Sequence, residues 1–138
     1  MPEFSLPRDI VTKAAGRSSF EEQLRDFSET HMKLRLDQEL EAIAEQGRRL
    51  CRNMTLAELK KYREMVADFL RMCLSGGLRY REEKFSSRYG KTRVLSIIKV
   101  VDEKLVALAQ ELINLNRDAL KILALIEDIR GLLLDLYT

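Results

Sequence analysis

The sequence predicts an all-α fold: an antiparallel up-and-down four-helix bundle with a flexible N-terminal arm and a long basic loop between its second and third helices. Three observations predict it. Both prolines, Pro2 and Pro7, fall at the start of the chain, so the remainder is free of the strongest helix breaker. Four separate stretches carry apolar residues at three- and four-residue spacing. Most connections between these stretches are short, which makes successive helices antiparallel neighbours. A chain of 138 residues supports one hydrophobic core. Residues 1–18, which mix Pro, Gly and scattered apolar residues without a period, form the expected arm, and residues 19–138 the single bundle domain.

The first helix is expected to open at Ser19-x-x-Glu22, a capping box in which the serine oxygen takes an orphan amide and the glutamate reaches back to the cap. Its pattern runs to about Cys51 but changes phase on the way. Phe20, Leu24, Phe27, His31 and Leu34 lie within about 80° on a helical wheel, whereas Leu36, Leu40, Ile43, Gly47 and Leu50 cluster on nearly the opposite side. Either two helices meet near Arg35, or one long helix packs its second half on the bundle and offers its first half to another surface. Asn53 and Met54 make a short connection, and Thr55-x-x-Glu58 is a second capping box. Leu56, Leu59, Tyr62, Val66, Phe69, Leu70 and Cys73 form the stripe of the second helix, with Ser75-Gly76-Gly77 placed to close it through left-handed glycine.

Residues 78–91 form a linker longer than bundles need, set off by Gly77 and Gly90. From Arg79 to Arg93 there are six basic and two acidic residues, a charge of +4 against −2 for the rest of the chain. Thr92 or Arg93 opens a third helix to about Leu115, with Val94, Ile97, Ile98, Val101, Leu105, Leu108, Leu112 and Leu115 on one stripe. Asn116 and Arg117 turn the chain, and Asp118 caps the last helix. That helix holds ten aliphatic residues between Leu120 and Leu136, a potential of roughly 15–30 kcal/mol of gross hydrophobic free energy. It is therefore expected to be the most buried element. Lys121, Glu127, Asp128, Arg130 and Asp135 rule out a bilayer as its destination, because each costs about 2.5–3.5 kcal/mol at mid-membrane. Arg130, at the edge of the apolar arc, must reach solvent or pair with a carboxylate such as Glu127.

The run from Ile122 to Thr138 (Ile-Leu-Ala-Leu-Ile-Glu-Asp-Ile-Arg-Gly-Leu-Leu-Leu-Asp-Leu-Tyr-Thr), with Leu56-x-x-Leu59-Lys60-x-Tyr62 and Val100-Val101-Asp102-Glu103-Lys104-Leu105 before it, resembles the YaaR-like family of bacterial proteins of unknown function. The resemblance covers residues 52–138 well and the first 50 loosely. It implies a compact bacterial cytoplasmic four-helix bundle, and it brings no activity or catalytic residue.

Composition restricts function further. A net charge of +2 favours neither nucleic acid nor membrane for the chain as a whole. Cys51 and Cys73 fall near far ends of consecutive helices, so both are read as free thiols, which with the lack of an apolar leader fits the cytoplasm. His31 is the one histidine and there is no paired cysteine motif, so neither a metal nor another cofactor is expected. Glu82-Glu83 and Glu127-Asp128 are adjacent pairs whose members diverge by about 100° on a helix, which makes no carboxylate dyad, and no phosphate-binding loop is present. The expectation is a non-catalytic helical-bundle interaction or regulatory module that associates with itself or a protein partner through Phe20, Leu24, Phe27, His31 and Leu34. The alternative is nucleic-acid binding through Arg79, Tyr80, Arg81, Lys84, Phe85, Arg88, Tyr89, Lys91 and Arg93, which interleave phosphate-binding and base-stacking side chains.

Overall fold

The structure, a computed structural model, describes residues 14–77 and 88–137. Most of the expected arm and residues 78–87 of the expected basic loop lie outside the described residues. Within them the regular structure is entirely helical, in four main helices with antiparallel contacts: α1 (Ala14–Asn53), α2 (Leu56–Met72), α3 (Arg88–Ile113) and α4 (Ala119–Tyr137). A π-helical turn, Cys73–Gly77, extends α2. α1 packs on α2 and α4, and α3 packs on α4 and α2.

The phase change in the first helix involves no break. α1 is one helix of 40 residues, and its buried core residues Leu36, Leu40, Ile43 and Leu50 all lie in its second half. It also starts earlier than expected: Ala14 and Ala15, from the best helix-forming residue type, carry it past Ser19, which lies inside the helix instead of capping it.

The α1–α2 connection is Met54-Thr55. Met54 takes a left-handed conformation (φ 49°), and its N–H donates to the Leu50 carbonyl at 2.7 Å. Only half of the expected capping box forms. Thr55 Oγ1 accepts from the Glu58 N–H at 3.2 Å, but the Glu58 carboxylate turns to α1, where Gln46 Nε2 donates to it at 2.7 Å and Asn53 Nδ2 at 3.0 Å. Arg49 is the third partner, at 3.5 Å. Buried Gln46 thereby finds its acceptor, and these hydrogen bonds, Gln46's first, hold the Glu58 carboxyl below its ordinary pKa of 4.5.

Three expectations at helix ends are corrected. α2 closes through the wide turn, with Ser75 Oγ donating to the Arg71 carbonyl at 2.7 Å, and no described glycine has positive φ. α3 begins at Arg88, so Gly90 sits buried in its first turn, outside the helix interior where a glycine costs roughly 1 kcal/mol. α3 ends at Ile113, leaving Leu115 97% exposed in the turn rather than on the stripe. Asp118 caps α4 as expected, its Oδ1 accepting from the Leu120 N–H at 2.9 Å.

α4 is not surrounded. Ile122, Ile126, Ile129, Leu133, Leu136 and Tyr137 are buried, yet Leu120 is 75% exposed and Leu123 and Leu134 are also open. An apolar arc of about 200° is wider than two neighbouring helices cover, and among the described residues α4 packs chiefly on α3 and α1. Leu56, at the start of α2, is likewise exposed. No helix among the described residues is long and apolar enough to cross a membrane.

Candidate functional site

Tyr137, the last residue of α4, is tied to α1. Its buried hydroxyl hydrogen-bonds Asp37 Oδ1 at 2.7 Å and the Lys33 carbonyl oxygen at 3.0 Å, fixing the end of α4 beside that turn of α1. Met32 is the outermost α1 residue packed on the core. Between Ala14 and Met32 the helix continues for about 28 Å at 1.5 Å per residue.

This projecting half carries the stripe expected from the sequence. Phe27 is 72% exposed, Leu34 55% and Leu24 49%, while Phe20 is half-buried. His31 is exposed as well and stacks on Phe27, ring centroids 6.4 Å apart and planes within 12°. All five residues therefore share one face at alternating four- and three-residue steps, the seam geometry of a helix that packs against another helix. Apolar area of this kind is costly in water at about 25 cal/mol per Å².

The second set of candidates divides. Arg79, Tyr80, Arg81, Lys84 and Phe85 lie outside the described residues. Arg88 and Tyr89 fall in the first turn of α3 instead of in a loop, followed by exposed Lys91 and half-buried Arg93. No acidic residue occupies that turn, although carboxylates are the favoured charge at a helix N-terminus. Among the described residues no hydrogen bond or ion pair joins Lys91 or Arg93 to the stripe of α1.

Cys51 is half-buried and Cys73 buried, and no disulfide joins them. Arg130 is exposed and makes no ion pair with any described residue, Glu127 included, so it reaches solvent. The inter-helix ion pair of α4 is instead Lys104 Nζ to Asp128 Oδ2, at 3.0 Å. A groove that periodicity could not reveal lies between α1 and α4, close to Gly47. An added Cβ at Gly47 would stand 2.8 Å from Ile126 Cγ2, so glycine is what admits the close crossing of the two helices.

Comparisons with known proteins agree with this architecture. A crystal structure of the uncharacterised protein BH1478 from Bacillus halodurans superposes with a TM-score of 0.77 at 31% sequence identity, covering 86% of this chain and 97% of that one. The chain is also similar to the uncharacterised protein YaaR of Bacillus subtilis (strain 168), with 31% identity over 112 residues, 77% of this chain and 75% of that protein. The model of a family described as "Protein of unknown function (DUF327)" matches residues 6–137, and this chain, as its YaaR-like motifs imply, belongs to that family.

Proposed function

We propose that this protein is a non-catalytic interaction or regulatory module of the cytoplasm: an up-and-down bundle that holds out the N-terminal half of α1 to pair with a second copy of the same chain. The observation that carries this reading is the seam of Phe20, Leu24, Phe27, His31 and Leu34, of which all but half-buried Phe20 are exposed. Charge supports antiparallel pairing. Glu21, Glu22 and Asp26 lie towards one end of the seam and Lys33 and Arg35 towards the other, while Arg25 and Glu29 cancel. Antiparallel copies bring the acidic end of each to the basic end of the other, whereas parallel copies set like against like.

Sedimentation equilibrium over a concentration series tests the proposal. The wild type should approach twice 16.0 kDa at the highest concentrations, and Phe27→Asp should remain at 16.0 kDa with an unchanged melt. A wild type that stays at 16.0 kDa throughout overturns self-pairing.

One observation favours nucleic-acid contact as a second reading: the first turn of α3 is basic and free of acids, with Lys91 exposed. Cations there and in the preceding segment would displace counterions from phosphates, and Tyr80, Phe85 and Tyr89 would offer stacking surfaces. Binding to single-stranded and duplex oligonucleotides that falls steeply with salt, and is lost when Arg79, Arg81, Lys84 and Arg88 become serine, supports this reading. No binding at low salt removes it.

A further inference from the structure

The groove between α1 and α4 has a volume of about 280 Å³ and reaches down to Tyr62 of α2. Its floor is apolar, formed by buried Ile43 and Ile126 with exposed Leu123 above them, and its exposed rim carries Arg48, Arg52 and Arg130. Glu127 also lines it, so three basic residues stand against one acidic residue and the lining is positive. Arg48 and Arg52 share Glu45, at 2.8 and 3.9 Å, whereas Arg130 has no carboxylate partner among the described residues. Tyr62 is 1% exposed, yet its hydroxyl makes no hydrogen bond to any described residue. Buried tyrosine hydroxyls normally have a partner, because an unpaired one forfeits its hydration without recompense. Here the orphaned hydroxyl belongs to a side chain that lines a cavity with an apolar floor and a cationic rim.

We infer that this groove binds a small amphipathic anion, an apolar body bearing a carboxylate, sulfonate or phosphate head. The body covers Ile43, Leu123 and Ile126, an oxygen accepts a hydrogen bond from the Tyr62 hydroxyl, and the charge is received by Arg130. The volume is near the lower end of small-molecule sites, and an apolar surface with a few convergent polar groups is the composition such sites have. The site is separate from the seam of α1, so self-pairing and ligand binding stand or fall independently.

The probe for the test is 8-anilinonaphthalene-1-sulfonate, with N-phenyl-1-naphthylamine as the same aromatic body lacking the anionic head. Two readouts are taken: fluorescence titration, and the rate of Cys51 alkylation by iodoacetamide followed by mass spectrometry. Cys51 lines the groove, and buried Cys73 serves as the internal reference. The sulfonate should bind one per chain and slow Cys51 alkylation without altering Cys73. Tyr62→Phe and Arg130→Ser should each weaken it by about tenfold, the scale of one lost hydrogen bond to a charged group, and leave the neutral analogue's binding unchanged. Phe27→Ser, on the projecting half of α1, should have no effect on either readout. Absence of Cys51 protection, equal affinity in Arg130→Ser, or loss of the signal in Phe27→Ser would overturn the assignment. Thermal melts of the variants check folding; Tyr62→Phe, which removes only the unpaired hydroxyl, should melt no lower than wild type.

Discussion

The two halves of α1 share one backbone and meet opposite fates. In the half after Lys33, Leu36 and Leu50 are fully buried; in the half before it, Phe27 stands mostly in solvent. Their helical periodicity is equally regular, so pattern alone does not decide burial. What decides it is the supply of neighbours among the described residues: α2, its π turn and α4 pack on α1, and α4 ends at Tyr137 beside Lys33. An apolar stripe is thus a demand for a partner, met within the chain in one half and presented to the outside in the other.

The same charge placed on each side of the boundary should have opposite consequences. Leu36→Asp should unfold the protein, since an unpaired carboxylate in a fully buried site costs at least about 4 kcal/mol. Phe27→Asp, nine residues away, should shift the urea midpoint of the monomer by an amount equivalent to less than about 0.5 kcal/mol. Equal losses would show that the projecting half is held by the fold after all.

A smaller effect sharpens the contact between α1 and α4. Gly47→Ala pushes a methyl to 2.8 Å from Ile126 Cγ2 and should cost about 1–3 kcal/mol, whereas Gly131→Ala on α4, with nothing within 4 Å, should gain about 0.5–1 kcal/mol from helix propensity. Chemical denaturation of the two variants checks both signs.

The smallest effect concerns pH. Glu58 is tied only to residues of the packed half of α1, and its folded-state pKa lies below 4.5. A carboxyl held down in this way contributes stability that is complete above its ordinary pKa and is lost as pH falls through the depressed folded value. Urea midpoints of wild type should therefore fall more steeply than those of Glu58→Gln between about pH 5 and about pH 3. Parallel curves would mean that the Gln46 and Asn53 hydrogen bonds do not discriminate between the charged and neutral carboxyl.

Helix existence and most core positions were legible because they depend on spacing within one segment: Val66, Phe69, Val101, Leu108, Ile129 and Leu133 are buried as their periods require. The Asp118 cap was legible for the same reason, its amide partner being two residues away. Less legible was whatever depended on distant segments. Glu58 has a local option, reaching back to its own cap, and it loses to Gln46 and Asn53 once α1 lies alongside. Gly90 reads as a breaker until its burial is seen, and Leu120 and Leu123 read as core until the neighbours of α4 are counted. The seam from Phe20 to Leu34 was visible in the sequence, while the groove was not. Its defining groups, Tyr62 and Arg130, are 68 positions apart and meet only through the packing of α1, α2 and α4.

The hydrogen bonds of Tyr137 to Asp37 and Lys33 also give the projecting helix a mechanical character. They pin a fulcrum beyond which a stiff arm of about 28 Å extends. Bending α1 by about 10° at that fulcrum sweeps the tip of the arm through about 5 Å, and any load applied near Phe20 returns to the Tyr137 clamp multiplied by the length of the lever.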